Sequence, residues 1–299
     1  MSAIHQAISN LSQVIVGKEQ QIRLSVACLL ADGHLLIEDL PGMGKTTLSH
    51  ALAKVFGLEY RRIQFTSDLL PADVLGVSVF EKNLETGEGA FRFHPGPVFA
   101  QVVLADEINR ATAKSQSALL EAMEERQVTV EGQTRCLPDP FFFFFTQNPS
   151  SQAGTFPLPE SQLDRFLMCL SLGYPDENAE RELLEGRSRR ELVDELTTVV
   201  GSAELITLRE QVAAVKASAS VLDYLQRLLA YSRHDGGFPY GLSPRAGLSL
   251  LRAAKAWALL ENRDFLIHED VQAVLASVVD HRLQPLASRK LLEYVPVLA

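Results

Sequence analysis

Three groups of residues in this chain have the types and spacing that phosphoryl chemistry needs. The first is Pro41-Gly42-Met43-Gly44-Lys45-Thr46-Thr47, after the apolar run Leu35-Leu36-Ile37 and before a helical pattern through Leu48, Ala51, Leu52 and Val55. Glycines here let several backbone N–H groups turn toward one anion at a helix start. A lysine in this position reaches the β- and γ-phosphates of a nucleotide, and the Thr46 hydroxyl takes a place on Mg²⁺. The strict G-x-x-x-x-G-K-[ST] pattern carries glycine where this chain has Asp39. The second group is Asp106-Glu107, two carboxylates at the end of the apolar run Val102 to Ala105. In a parallel sheet such strand ends face the ligand crevice. Asp106 is then suited to hold Mg²⁺ through water, and Glu107 to orient and polarise an attacking water. The third is Asn148, closing the run Phe141 to Gln147. An amide there senses the γ-phosphate or positions the water, or else it is a turn former before Pro149. Taken singly, the first two groups also read as an ordinary turn and an ordinary acidic strand end. Their coincidence favours the nucleotide reading.

The elements that must hold these groups follow from the apolar pattern. Residues Ile4 to Leu30 read as helices broken near Val16-Gly17. That break either lines an adenine pocket or is a plain helix-to-helix turn. Tyr60 to Phe65 reads as a short strand. Gly76 to Phe93 reads as a hairpin with a polar connection over Glu81 to Gly89, and Val128 to Leu137 as a second hairpin around Glu131-Gly132. Thr112 to Gln127 is an amphipathic helix. The phenylalanine run Phe141 to Phe145 is expected to be a central strand buried on both faces. A last strand is expected over Leu167 to Leu172, with Arg165 just before it, by itself a surface ion-pair residue. Beyond Gly173 the strand signals stop. A charged helix is expected over Glu177 to Arg190, another through Val221, Leu222, Leu225, Leu228 and Leu229, and another from Pro244 with Ser243 as its cap. The last of these shows an apolar stripe of Leu248, Leu251, Ala254, Trp257 and Ala258, and a further helix covers Glu269 to Leu283. The expected architecture is α/β, a parallel sheet between helices with two β-hairpin insertions over residues 1–173, followed by an all-helical domain over 174–299.

Composition sets the outer bounds. The 299 residues are 46% hydrophobic and 22% charged, enough for a core without staples. The net charge of −9 disfavours broad binding to nucleic acid or anionic lipid. Cys28, Cys136 and Cys169 have neither disulfide nor zinc spacing, which fits a reducing, cytoplasmic compartment. No secretory signal pattern and no apolar run of membrane-spanning length is read.

The motifs agree in order and spacing with a known group. The chain resembles the AAA+ ATPases, and within them the MoxR family, over nearly its whole length. The resemblance rests on Gln64-Phe65-Thr66-Ser67-Asp68-Leu69-Leu70-Pro71, Gly96-Pro97-Val98-Phe99 and Ala105-Asp106-Glu107-Ile108-Asn109-Arg110-Ala111. It rests also on Thr146-Gln147-Asn148-Pro149, Phe156-Pro157-Leu158-Pro159-Glu160 with Gln162-Leu163-Asp164-Arg165-Phe166, Ser243-Pro244-Arg245-Ala246 and His281-Arg282-Leu283. It implies a Walker A loop at Lys45 and Thr46, a Walker B pair at Asp106 and Glu107, and a first sensor at Asn148. It further implies an arginine finger at Arg165, acting on the neighbouring subunit's nucleotide, and a second sensor at Arg245 at the start of a lid helix. The implied cofactors are ATP and Mg²⁺, and the implied assembly is a homo-oligomeric ring, expected to be a hexamer. The implied partners are a client complex and a von Willebrand factor A-type protein with a metal-ion site. Asp39 and the aromatic strand are departures from the usual pattern. Whether Arg245 serves its own nucleotide or a neighbour's is left open by the resemblance. The competing expectations are a nucleic-acid motor or loader, against which the net charge counts, and a slow nucleotide-switched binding module, against which Glu107 counts.

Overall fold

A computed structural model describes residues 3–82, 89–148 and 156–297. The strands in chain order are β1 (Leu35–Glu38), β2 (Tyr60–Gln64), β3 (Gly76–Lys82), β4 (Gly89–Pro95), β5 (Val102–Asp106), β6 (Gln127–Val130), β7 (Gln133–Cys136), β8 (Phe142–Gln147) and β9 (Met168–Leu170). A parallel five-stranded sheet runs β2-β5-β8-β1-β9. Its register sets Ile37 opposite Thr146, Ala105 opposite Phe145 and Gln64 opposite Asp106. The C-terminal ends of β2, β5, β8 and β1 therefore open on one edge, where such sheets bind ligands.

The phenylalanine run shows why this strand is central. Side chains alternate across a strand, so Phe142 and Phe144 enter one core while Phe141, Phe143 and Phe145 enter the core on the opposite face, all five buried. Their rings meet edge-on, 4.6 Å apart for Phe141 and Phe143 and 4.9 Å for Phe142 and Phe144.

The helices are α1 (Ala3–Val14), α2 (Glu19–Leu30), α3 (Lys45–Val55), α4 (Pro71–Leu75), α5 (Ala113–Glu125), α6 (Glu160–Leu163), α7 (Glu177–Glu185), α8 (Arg189–Glu195), α9 (Ser202–Ala214), α10 (Ala219–His234), α11 (Pro244–Leu260), α12 (His268–Val279) and α13 (Ala287–Tyr294). One of the two cores joins α1, α2 and α3 to the C-terminal helices, so apolar packing continues across residue 173. Strands β3 and β4 pair antiparallel from Gly76 opposite Pro95 to Lys82 opposite Gly89. That ladder takes in Glu81, Lys82 and Gly89, which the sequence suggested as connection, and residues 83–88 lie outside the described residues. In β6–β7, Glu131 and Gly132 have φ of 53° and 75°, both left-handed, as a two-residue hairpin turn requires.

Several sequence expectations need correction. The charged helix over 177–190 is two helices. The Gly186 N–H still bonds to the Glu182 carbonyl at 2.9 Å, but Gly186 is extended and the chain restarts at α8. The final strand stops at Leu170, and α12 stops at Val279 rather than Leu283. The stripe of α11 is also different. Leu248 is 63% exposed, and the buried face runs through Ala246, Leu250, Ala253, Ala254, Ala256, Ala258 and Leu260 against α2, α9 and α12. Small residues let these helices approach closely, so the buried face is mostly alanine. Helices α9 and α13 were not anticipated.

Candidate functional site

The loop between β1 and α3 owes its shape to two glycines. Gly42 and Gly44 have φ of 86° and 90°, and an added Cβ at either would meet nothing within 4 Å, so conformation rather than crowding requires them. Gly44 is the N-cap of α3, and its carbonyl accepts the Leu48 N–H at 2.9 Å. Asp39, the departure from the strict loop pattern, is buried and occupied. One carboxylate oxygen accepts the Leu40 N–H at 2.8 Å; the other accepts the Gly173 N–H at 2.7 Å and the Ser171 hydroxyl at 3.2 Å. It fastens the entry of the loop to the chain leaving β9.

Lys45 is buried at the start of α3. Its ammonium donates to the Asp39 carbonyl at 2.6 Å and to Asn148 Oδ1 at 3.2 Å. Burial lowers its pKa, opposed by the charges of Asp106, Asp39 and Glu107 in decreasing order. Asn148, 2% exposed, turns its amide nitrogen to Glu107 Oε1 at 3.0 Å, and its backbone carbonyl accepts from Asn109 Nδ2 at 3.0 Å. Ammonium, amide and carboxylate thus form one hydrogen-bonded line across the strand ends.

Glu107 breaks out of β5 with φ of 57°, a left-handed conformation uncommon for glutamate. Its N–H donates to Thr146 Oγ1 at 2.9 Å, and Oε2 pairs with Arg110 at 2.8 Å. The Thr146 hydroxyl donates onward to Asp106 Oδ1, so the threonine on β8 sets both acidic positions. Asp106 Oδ2 is paired with Arg62 from β2 at 2.7 Å. Thr46 lines the same cleft as Asp106. A carboxylate and a hydroxyl residue lining one cleft are a donor set that suits Mg²⁺, which keeps several waters and takes one or two carboxylates.

Pro41, Gly42, Gly44, Lys45, Thr46, Thr47, Arg62, Gln64, Asp106, Glu107 and Asn148 surround a cleft of about 340 Å³. A second, mostly apolar cleft of about 250 Å³ shares Gly42, Gly44 and Thr47 and adds Met43, Val14, Ile15, Val16, Pro175 and Leu183, with Lys18, Gly173 and Arg189. Polar and apolar compartments thus meet across the glycine loop. Val16 lines the apolar one. Gly17 does not; it is a turn residue with φ of 69°, where an added Cβ would stand 2.8 Å from the Ala179 Cβ.

Arg165 and Arg245 lie elsewhere. Both line a separate cleft of about 180 Å³ that shares no residue with the other two, together with Glu124, Arg126 and Arg252. Ser243 caps α11 as expected, accepting the Ala246 N–H at 3.0 Å. Sequence reasoning missed the parts played by Arg62, Asn109, Arg110, Glu124 and Thr146. Asn109, Arg110 and Thr146 sat inside motif segments, but Arg62 and Glu124 carried no signal beyond ordinary surface charge.

Comparison with known proteins places the chain in a family. A model of the ATPase family associated with various cellular activities (AAA) matches residues 34–168, and an AAA lid domain matches 231–293. Chaperone MoxR1 of Mycobacterium tuberculosis is 37% identical over 94% of this chain and 75% of its own length. The chain belongs to the MoxR family of AAA+ ATPases. The chain is also similar to the uncharacterized protein YeaC of Bacillus subtilis, 46% identical over 93% of this chain and 86% of that protein. It is similar as well to the crystal structure of a candidate ATPase from Cytophaga hutchinsonii, with a TM-score of 0.85 at 37% identity, covering 94% of this chain and 87% of that one. No helix among the described residues is long and apolar enough to cross a membrane.

Proposed function

We propose that this MoxR-family chain hydrolyses Mg-ATP in a homo-oligomeric ring, a hexamer, and uses the cycle as a chaperone-like remodeller of a client protein complex. The observation that carries the reading is the line from Lys45 through Asn148 to Glu107 across a cleft floored by glycine-loop backbone. The triphosphate lies on the loop between Pro41 and Thr47, and the adenine in the apolar compartment beside Val16 and Met43. Thr46 and Asp106 are the residues that would hold Mg²⁺, which would supply neutralisation of the phosphate charge. Lys45 binds the outer phosphates. Asn148 keeps Glu107 and Lys45 in fixed relation and orients the attacking water. Glu107 accepts the proton of that water as its oxygen bonds to the γ-phosphorus and the bond to the β–γ bridging oxygen breaks, releasing ADP and phosphate. Arg165 supplies further positive charge to the nucleotide of the neighbouring subunit, and Arg245 acts with it. That both arginines line a different cleft from Lys45 supports action across a subunit boundary, which head-to-tail closure provides.

The helical domain over 174–299 is taken as the lid whose tilt follows the nucleotide state. The client connection includes a von Willebrand factor A-type partner, and the hairpins β3–β4 and β6–β7 are the contact points. Exposed Val77, Val79, Phe80 and Phe91 on the first hairpin support this. The working compartment is the cytoplasm.

The test is ATP turnover per subunit across a wide range of protein concentration, for wild type and Arg165→Ala. Turnover per subunit rises as rings form, and the variant binds ATP but hydrolyses it roughly a thousandfold more slowly, a residual rate that remains measurable. Wild-type turnover by Arg165→Ala overturns the shared site.

A further inference from the structure

Arg165 and Arg245 come from different parts of the chain, the loop before β9 and the first turn of α11, yet both end on one carboxylate. Glu124 near the end of α5 takes Arg165 Nη1 on Oε2 at 2.8 Å and Arg245 Nη2 on Oε1 at 2.5 Å. Arg165 Nη1 also donates to the Leu120 carbonyl of the same helix at 3.3 Å. The two segments are fastened a second time one or two residues away. Asp164 accepts the Ser243 hydroxyl at 3.0 Å and Arg282 Nε at 2.9 Å. The other acid of this cleft, Asp32, is already paired with Arg126 at 2.5 Å and Arg209 at 2.6 Å. Glu124 is therefore the carboxylate given over to Arg165 and Arg245.

We propose that Glu124 is a positioning residue that holds Arg165 and Arg245 as one two-cation unit directed at the neighbouring subunit's nucleotide, an inference that rests on the trans-arginine reading above. Two guanidinium groups brought side by side repel, and each ends a long side chain with many rotamers. A carboxylate giving one oxygen to each fork offsets the repulsion and fixes their relative orientation. The trio keeps a net positive charge. Both arginines then meet the γ-phosphate in a preset geometry, the condition under which electrostatic stabilisation of a transition state is effective.

The experiment compares Glu124→Ala and the near-isosteric Glu124→Gln with wild type, Arg165→Ala and the double variant Glu124→Ala/Arg165→Ala. Turnover at saturating ATP, ATP affinity by calorimetry and assembly by sizing are measured on the full chain. Removing the shared carboxylate lowers turnover about tenfold or more, as loss of a preorganised charge does, with ATP affinity and assembly unchanged. The double variant stays within about threefold of Arg165→Ala alone, because residues that act through one another are not additive. Turnover of Glu124→Ala and Glu124→Gln at the wild-type rate overturns the proposal and makes the contact a surface ion pair. Multiplicative losses in the double variant overturn it as well. Wild-type turnover by Arg165→Ala identifies the trans-arginine reading as the part that failed, and removes this inference with it.

Discussion

Replacing Glu107 with glutamine separates the chemistry of the site from its architecture. Glutamine keeps the length and shape of the side chain, so its carbonyl oxygen still accepts from Asn148 Nδ2, the contact that measures 3.0 Å. It gives up the ion pair with Arg110, whose side chain is 47% exposed. A pair so open to solvent contributes at most about 1 kcal/mol, so the fold is retained. The left-handed backbone at this position is no harder for glutamine than for glutamate. ATP binding also survives. Of the three carboxylates that hold Lys45 in its charged form against burial, Glu107 contributes least, and Asp106 and Asp39 remain. What is lost is the base for the attacking water. A positioned base contributes roughly 10²–10⁴-fold, which is about 3–5 kcal/mol of barrier. Phosphate release in a single turnover, with ATP affinity measured in parallel by calorimetry, reads both quantities. Glu107→Gln is expected to bind ATP within about threefold of wild type and to hydrolyse it at least about a hundredfold more slowly. Turnover within about threefold of wild type would refute the assignment of Glu107. Loss of binding together with turnover would refute the reasoning differently, by showing that Glu107 shapes the loop rather than acting on water.

Three further outcomes are expected. Lys45→Ala removes a charge-assisted contact to the outer phosphates and weakens ATP binding by roughly 10–100-fold; calorimetry showing wild-type affinity would exclude the phosphate loop. Arg282, whose side chain is 3% exposed, pairs with Asp164 at 2.9 Å and donates to the Leu167 carbonyl at 3.3 Å. Arg282→Ala leaves Asp164 with the Ser243 hydroxyl alone and the Leu167 carbonyl without this donor, and destabilises the fold by about 1.5–3 kcal/mol, read from urea midpoints at unchanged slope; a loss below about 1 kcal/mol contradicts it. His34 is buried with Nδ1 accepting the Phe143 N–H at 3.1 Å, and burial lowers its pKa from 6.5 to about 3. Between those values the unfolded chain binds a proton that the native chain does not, so stability falls as pH drops, by about 1.4 kcal/mol per pH unit. His34→Asn keeps an acceptor and removes the titration, so its acid limb in urea unfolding is shallower; parallel limbs would sink the argument.

The legible part of this protein was the contiguous part. Gly42, Gly44, Lys45 and Thr46 follow one another, and the loop they form is dictated by local backbone freedom and by the helix that starts at Lys45. The hairpin turn at Glu131-Gly132 and the Ser243 cap are local in the same way, and each reads directly from residue type. The phenylalanine strand was legible because five consecutive large apolar residues have no face left for solvent. The break between α7 and α8, the length of α12 and the buried face of α11 were not, because the neighbours a helix packs against decide which of its faces is buried.

By itself, then, the sequence determined that the chain carries a glycine loop before a helix, an acidic strand end, an amide strand end and two isolated arginines. The tertiary structure alone decided how they combine. Pairing of β1 with β8 and of β5 with β8 brings Lys45, Asn148, Asp106 and Glu107 to one sheet edge from positions up to 103 residues apart. Thr146 and Arg62 then fix the carboxylates from adjacent strands. The first turn of α11 and the loop before β9 both come within ion-pair distance of α5, so that Arg165 and Arg245 meet at Glu124, in a cleft of their own. Local propensity is a property of neighbours in the chain, whereas electrostatic arrangement is a property of neighbours in space. A charge such as Glu124 acquires meaning only when the fold sets two guanidinium groups against it.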